Sequence, residues 1–257
     1  MRAFRGHVVE LLRHPHGADV LVDLYDAASP AQRGSMASEA YGREFVLLEG
    51  GASGGGAPLR GARALLEGSD ASKRRAVVAS LQRALEPVLE KGLLHPPLTH
   101  RLLREYLEAA PGSLVAEAID TLAATGGNAL KMVHTSDGAA VCCAAFAHGS
   151  ARDRKRLVKG MKGHVAQAAA NEHAHAVVST ALAVTDDTAL TGKVIVGELK
   201  VREMRLCLFL FFFLATRAAR GGRNGGGRPP PPSCLYFVCV CSMRRIILST
   251  GGLNKIS

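Results

Sequence analysis

Three segments of the chain share one phase. Aligned on a small residue, Gly17, Gly138 or Ala174, each has a glycine eleven positions earlier: Gly6, Gly127 and Gly163. Each has a valine three positions later, Val20, Val141 or Val177, and a helix-capping type twelve positions later, Ser29, Ser150 or Asp186. Two share Gly-His-Val, at Gly6 and Gly163, and two share Ser-x-x-x-Arg, from Ser29 to Arg33 and from Ser150 to Arg154. The last two units lie 36 residues apart. A recurring unit of this length is one supersecondary element that cannot bury its apolar face alone, so the units must stack.

The content of each unit is helical. Ala18 to Ala27 reads as an apolar helix, and Ser29-Pro30 gives an N-cap with proline at the first helical position, where a missing N–H costs nothing. Ser150 is expected to cap a helix running to about Gly163, with Leu157, Val158, Met161 and Val165 on its apolar stripe. Asp186 is expected to cap a third equivalent, through Leu190, Val194 and Ile195. Between the first two units, Gly50 to Gly61 (GGASGGGAPLRG) lacks the terminal Lys-Ser/Thr of a phosphate-binding loop and reads as a linker. Ser72 to Glu90 reads as a long helix with Val77, Val78, Leu81, Leu85, Val88 and Leu89 inward, and Leu98 to Ala109 as another. A fourth repeat near Leu98 is weak, because its phase residues do not match. The fold expected is all-α, an α-solenoid of helical repeats.

Charge separates the chain into a body and a tail. The net charge of +10 suggests a polyanion partner, yet all 22 acidic residues lie at or before Glu203, which leaves +2 on residues 1–204. Residues 205–257 carry eight basic groups, no acidic one, the run LCLFLFFFLA, a GGRNGGGRPPPP stretch and four of the six cysteines. Ten apolar residues are half of what a membrane-spanning helix needs, so no membrane anchor is expected. The tail is expected to be disordered or aberrant, of the kind that read-through into non-coding sequence would give, and to add no cooperative structure. Cys142 and Cys143 are then the only cysteines of the body, adjacent and unable to bridge easily, as in a reduced intracellular chain. The organisation expected is residues 1–49 as repeats, 50–61 as linker, 62–204 as a second helical region and 205–257 as tail.

Catalytic and metal-binding signatures are weak. His14/His16 and His173/His175 are two apart, which a helix does not aim at one metal. Neither GxSxG nor HExxH occurs. The expectation is no enzyme, no cofactor, no metal and no small-molecule substrate. One helix does carry a dense basic stripe: Arg152, Lys155 or Arg156, Lys159 and Lys162 recur at three- and four-residue steps opposite the apolar side, with Arg154 nearby. Such a stripe can neutralise phosphates and release counterions, giving salt-sensitive binding that is blind to sequence. Lys73, Arg74 and Arg75, with Arg83 further along, form a weaker cluster read as a charged helix start.

RGHVVELLRHPHGADVLVDLYDAASPAQR, YGREF and HTSDGAAVCCAAFAHGSARDRKRLVKGMKGHV together resemble the Puf-A/Penguin branch of Pumilio-homology proteins, over roughly Phe4 to Leu199. The stretch that begins with Leu65 to Glu90 resembles the start of that family's CPL domain. The resemblance implies Puf-type repeats, a nuclear or nucleolar location, binding of RNA or DNA with little sequence preference, and work in ribosome biogenesis and in translational control of messages. RNA and ribosome-assembly proteins are the partners it implies. Met1 falls within a repeat and the tail stands where closing repeats would, so the chain reads as a fragment. In the family's register the base readers are the first and fifth residues after the phase residue, and the second is a stacker. These positions hold Ala18, Val22 and Asp19; Ala139, Cys143 and Ala140; and His175, Ser179 and Ala176. Only His175 and Ser179 keep polar capacity. The expected RNA contacts are therefore Arg152, Arg154, Lys155, Arg156, Lys159, Lys162, His175 and Ser179. A protein-interaction solenoid without RNA binding is the rival reading, favoured by the small body charge.

Overall fold

The periodic positions are the joints of a three-helix unit in the computed structural model, which describes residues 4–42 and 61–200. All of these fall in the first of two compact units, Met1–Arg205 and Leu206–Ser257. The linker up to residue 60 and the tail from residue 205 lie outside the described residues. In the first repeat Gly6, at φ +86°, turns the chain into α1 (Val8–Leu12). His14 then caps α2 (Pro15–Ala27), its ring nitrogen accepting from the Gly17 amide at 3.4 Å. Ser29 and Gln32 close a reciprocal capping box at the start of α3 (Pro30–Ser38), which runs into a 3-10 turn, Glu39–Tyr41. The phase residue is small because α2 folds back on α1: a Cβ on Gly17 would stand 2.6 Å from the Leu11 carbonyl oxygen.

The same joints recur. A 3-10 segment (Gly126–Met132) leads to α8 (Ser136–His148) and α9 (Ala151–Gly160). Gly163, at φ +87°, opens α10 (Val165–Ala170), followed by α11 (Ala174–Val184) and α12 (Thr188–Thr191). The third cap is Asp187, which accepts from the Leu190 amide at 2.9 Å, and not Asp186 as the spacing predicts. The loop before it is one residue longer than in the other units. The helix capped by Ser150 also ends earlier than expected, at Gly160, and Val165 belongs to the next helix.

A glutamate clasp, invisible in the sequence, closes the first and third repeats. Glu39 accepts from the amides of Gly6 (3.0 Å) and Val8 (3.1 Å), and Glu198 accepts from those of Gly163 and Val165. Each carboxylate satisfies amides at a helix start that have no intrahelical partner. Glu198 keeps this place although the chain inserts a π turn, Gly192–Val196, ahead of it. In the second repeat Gly160 replaces the clasp. Its Cβ would meet the Gly126 and Gly127 backbone at 3.1 Å, so direct backbone contact does the joining there.

The weak fourth repeat is real. α6 (Pro97–Ala109) and α7 (Gly112–Ala124) are its second and third helices, and Thr99, fully buried, holds the phase position. Pro111, twelve residues on, stands where Ser29 and Ser150 cap the other units. The second helices α6, α8 and α11 pack in succession with α2 against α6, and the third helices α7, α9 and α12 form a row beside them. Val141 and Val177, like Leu102 at the equivalent place, are buried, but Val20 is 45% exposed. Among the described residues no second helix precedes α2 to cover it.

The 20-residue α5 (Ala71–Glu90) buries the six apolar positions read from sequence and packs on the first repeat's 3-10 turn and on α6. A short α4 (Ala62–Leu66) precedes it, separated by Gly68 at φ +72°, so Leu65 to Glu90 is not one helix. Gly61, placed by sequence in the linker, is buried at φ +100° and caps α4; a Cβ there would meet the Glu105 carboxylate at 2.7 Å. Glu105 in turn joins Arg101 (3.0 Å) and the Tyr41 hydroxyl (2.6 Å), tying the first repeat to α6 across the linker.

Candidate nucleic-acid interface

The basic stripe sits on α9, whose start is fixed by its own cap. Ser150 Oγ accepts from the Asp153 amide, and Asp153 accepts from the Ser150 amide (3.0 Å) and hydroxyl (2.6 Å). Burial opposes ionisation of Asp153, but these Ser150 hydrogen bonds outweigh it and hold the carboxyl below its ordinary value. Leu157, Val158 and Met161 face the core, which leaves Arg152, Lys155, Lys159 and Lys162 exposed.

The six basic residues of this helix and its end do different work. Arg152, Lys159 and Lys162 form no ion pair among the described residues. Lys155 reaches Asp187 at 3.3 Å, across to the third repeat. Arg156 is half-buried and bound to Asp120 of α7 at 2.9 Å, with Asp153 at 3.8 Å. Arg154 donates from Nε, NH1 and NH2 to the carbonyls of Phe146 (2.8 Å), Val184 (3.0 Å) and Ala147 (3.1 Å). It is a clamp on the C-terminal ends of α8 and α11. Arg33 makes the same contacts to Tyr25 and Asp26, which explains why Ser-x-x-x-Arg repeats.

His175 and Ser179 are exposed on α11, in the row of second helices, whereas the stripe is in the row of third helices. The two sets therefore do not share a helix layer. His175 Nδ1 lies 3.2 Å from the Asn171 carbonyl oxygen, and the Ser179 hydroxyl donates to the His175 carbonyl at 3.1 Å. Elsewhere in the row, Ala18 and Ala139 are buried and Val22, Ala140 and Cys143 are half-buried. Cys142 is buried beside them, its thiol pushed up to about 12 by burial, and behaves as a small apolar residue. Among the described residues no group of three His, Cys, Asp or Glu could hold a metal.

Sequence reasoning missed the positions of the fourth repeat, His100, Arg101 and Arg104. The spacing from Thr99 to the proline-led start of α7 was the available signal. His100 is buried, with Nε2 2.7 Å from the Leu94 carbonyl oxygen and Nδ1 2.8 Å from Thr135 Oγ1. Arg101 is bound to Glu105, and Arg104 to Glu108 and Asp137, each of these two at 2.9 Å. Both arginines are already engaged by carboxylates.

A stack of three-helix units with a small phase residue, a capped third helix and an arginine clamp defines a Puf-type helical-repeat protein. No protein-family model matches the chain. Homologues of the chain are Pumilio-homology proteins. It is 35% identical over 198 residues to Pumilio homolog 24 of Arabidopsis thaliana and 29% identical over 201 residues to human (Homo sapiens) Pumilio homolog 3, each match covering 77% of this chain. The chain spans about 30% of the length of either relative. A crystal structure of human Puf-A matches with a TM-score of 0.66 at 28% identity, over 77% of this chain and 37% of that one. Human Puf-A in complex with DNA matches with a TM-score of 0.67 at 30% identity, over 77% and 38%.

Proposed function

We propose that this chain is a non-catalytic helical-repeat scaffold that binds the sugar-phosphate backbone of single-stranded RNA through the exposed basic face of α9. The observation that carries the reading is a contrast within the repeats. Among the described residues, Arg152, Lys159 and Lys162 stand exposed without carboxylate partners, while most base-reading positions are buried, apolar, or already bound to Glu and Asp. A surface of this kind holds phosphates and leaves bases unread. The DNA complex of human Puf-A, a structural neighbour, supports the choice of a nucleic acid. Action on pre-ribosomal RNA in the nucleolus, alongside ribosome-assembly proteins, and control of message translation belong to the same proposal and rest on the family resemblance.

Arg154 and Arg156 are left out of the test because their side chains hold the fold. Replacing Arg152, Lys155, Lys159 and Lys162 with Glu in the full chain is expected to weaken binding of a labelled 20-nucleotide RNA by at least about a hundredfold, with unchanged circular dichroism. Equal affinity in the folded variant would remove α9 from the interface. A protein-only scaffold is the second reading, favoured by the net charge of +2 on residues 1–204. It requires that the intact chain bind no RNA.

A further inference from the structure

The first repeat meets α5 along a cleft of about 900 Å³ that the α9 stripe does not reach into, since its walls come from α1, the end of α3 and the middle of α5. Three guanidinium groups line it: Arg5, Arg13 and Arg83. None pairs with a carboxylate among the described residues, in contrast to Arg101, Arg104 and Arg156. The two acids that share the cleft are both occupied. Glu39 spends its oxygens on the Gly6 and Val8 amides, and Glu10 is bound to His7 at 3.1 Å. Ser35, Ser38 and Ser80 add hydroxyl groups to the wall.

Arg13 is held in place before any ligand arrives. Its NH2 donates to the Arg83 carbonyl at 2.8 Å, and its own carbonyl accepts from Lys91 Nζ at 2.9 Å. Its Nε is buried and has no acceptor. A buried N–H without a partner is destabilising, and three unpaired guanidinium groups around one cleft repel one another. An oxyanion relieves both, and serine hydroxyls with forked guanidinium donors suit phosphate oxygens.

We propose that this cleft is a second seat for phosphodiester groups of a single-stranded nucleic acid, an inference that rests on the backbone-binding function proposed above. Its volume suits a nucleotide-sized ligand rather than a lone ion. A polyanionic strand can occupy both this cleft and α9, and the linkage of two weak seats on one polymer raises overall affinity without new contacts.

Two experiments on the full 257-residue chain test it. In the first, Arg5→Gln with Arg83→Gln removes two side chains and leaves the Arg83 carbonyl that holds Arg13. The slope of log affinity against log salt for a 20-nucleotide RNA is expected to become shallower by about 1.4, two contacts at roughly 0.7 each for a single strand. An unchanged slope overturns the cleft and leaves the α9 reading standing. In the second, phenylglyoxal modification of the unaltered chain is read by mass spectrometry, with the RNA or with inorganic phosphate at the same phosphate concentration. Protection of Arg5 and Arg83 by RNA alone supports the proposal. Equal protection by inorganic phosphate makes the cleft a simple anion site and overturns it, as does no protection by either. If the α9 variant keeps RNA binding and the cleft variant loses it, the stripe fails and the cleft stands. No RNA binding by the intact chain overturns both.

Discussion

Alanine at position 138 is expected to lower the stability of the chain by about 3 kcal/mol, combining an overpacked joint with a damaged helix cap. A Cβ there would lie 2.0 Å from the Met132 carbonyl oxygen and 2.8 Å from Met132 Cβ. The oxygen cannot simply step aside. It accepts from the Thr135 amide at 3.2 Å, and Thr135 Oγ1 in turn accepts from the Gly138 amide at 3.0 Å to start α8. Because α8 packs between α6 and α11, a shift at its start is felt in two neighbouring repeats. A loss of this size is a large part of a typical domain's 5–15 kcal/mol, roughly. Urea unfolding of Gly138→Ala should show a much lower midpoint. A midpoint equal to that of the unaltered chain would mean that the joint is looser than the close approach of α8 to the preceding turn implies.

The second large effect is acid destabilisation through His100. Burial lowers its pKa to about 4, helped by the neighbouring His134 ring at 5.5 Å and opposed by the Leu94 carbonyl. The neutral ring is already satisfied, with the Nε2 proton on the Leu94 carbonyl and Nδ1 beside the Thr135 hydroxyl. In the unfolded chain the same ring takes up a proton near pH 6.5. Between those two values the unfolded state binds a proton that the folded state refuses, so stability falls as the pH drops from about 6.5 to about 4. The loss approaches about 3 kcal/mol at the bottom of that window and vanishes above it. His100→Gln should be less stable at pH 7, because one of two buried hydrogen bonds is disturbed, yet lose distinctly less on acidification. Parallel stability–pH curves for the two chains would show that His100 does not carry the effect.

What the sequence revealed were the positions where the backbone permits few residue types. Gly17 and Gly138 mark close approaches, and Ser29 and Ser150 mark helix starts, so their spacing could be read directly. The repeat built on Thr99 was nearly lost because its joint admits a side chain and proline, not serine, begins its third helix. Partners supplied by distant helices were beyond reach. Nothing local to Arg154 says that its guanidinium ends on Val184, thirty residues on, or that Arg156 is engaged by Asp120. The same limit applies to the cleft. Arg83 reads as part of a charged helix until α1 brings Arg5 and Arg13 opposite it. The apolar faces of α5 and α9 were legible because a 3.6-residue period needs no knowledge of the partner.

The central claim is that the chain holds nucleic-acid backbone and does not read bases. Its most direct test is a titration of the full chain with two unrelated single-stranded RNAs of equal length, each at several salt concentrations. The account predicts affinities within about threefold of each other, a spread below ~1 kcal/mol, and a log-linear fall with salt for both. A tenfold preference for one sequence over its scramble, or no measurable binding at low salt, would contradict it.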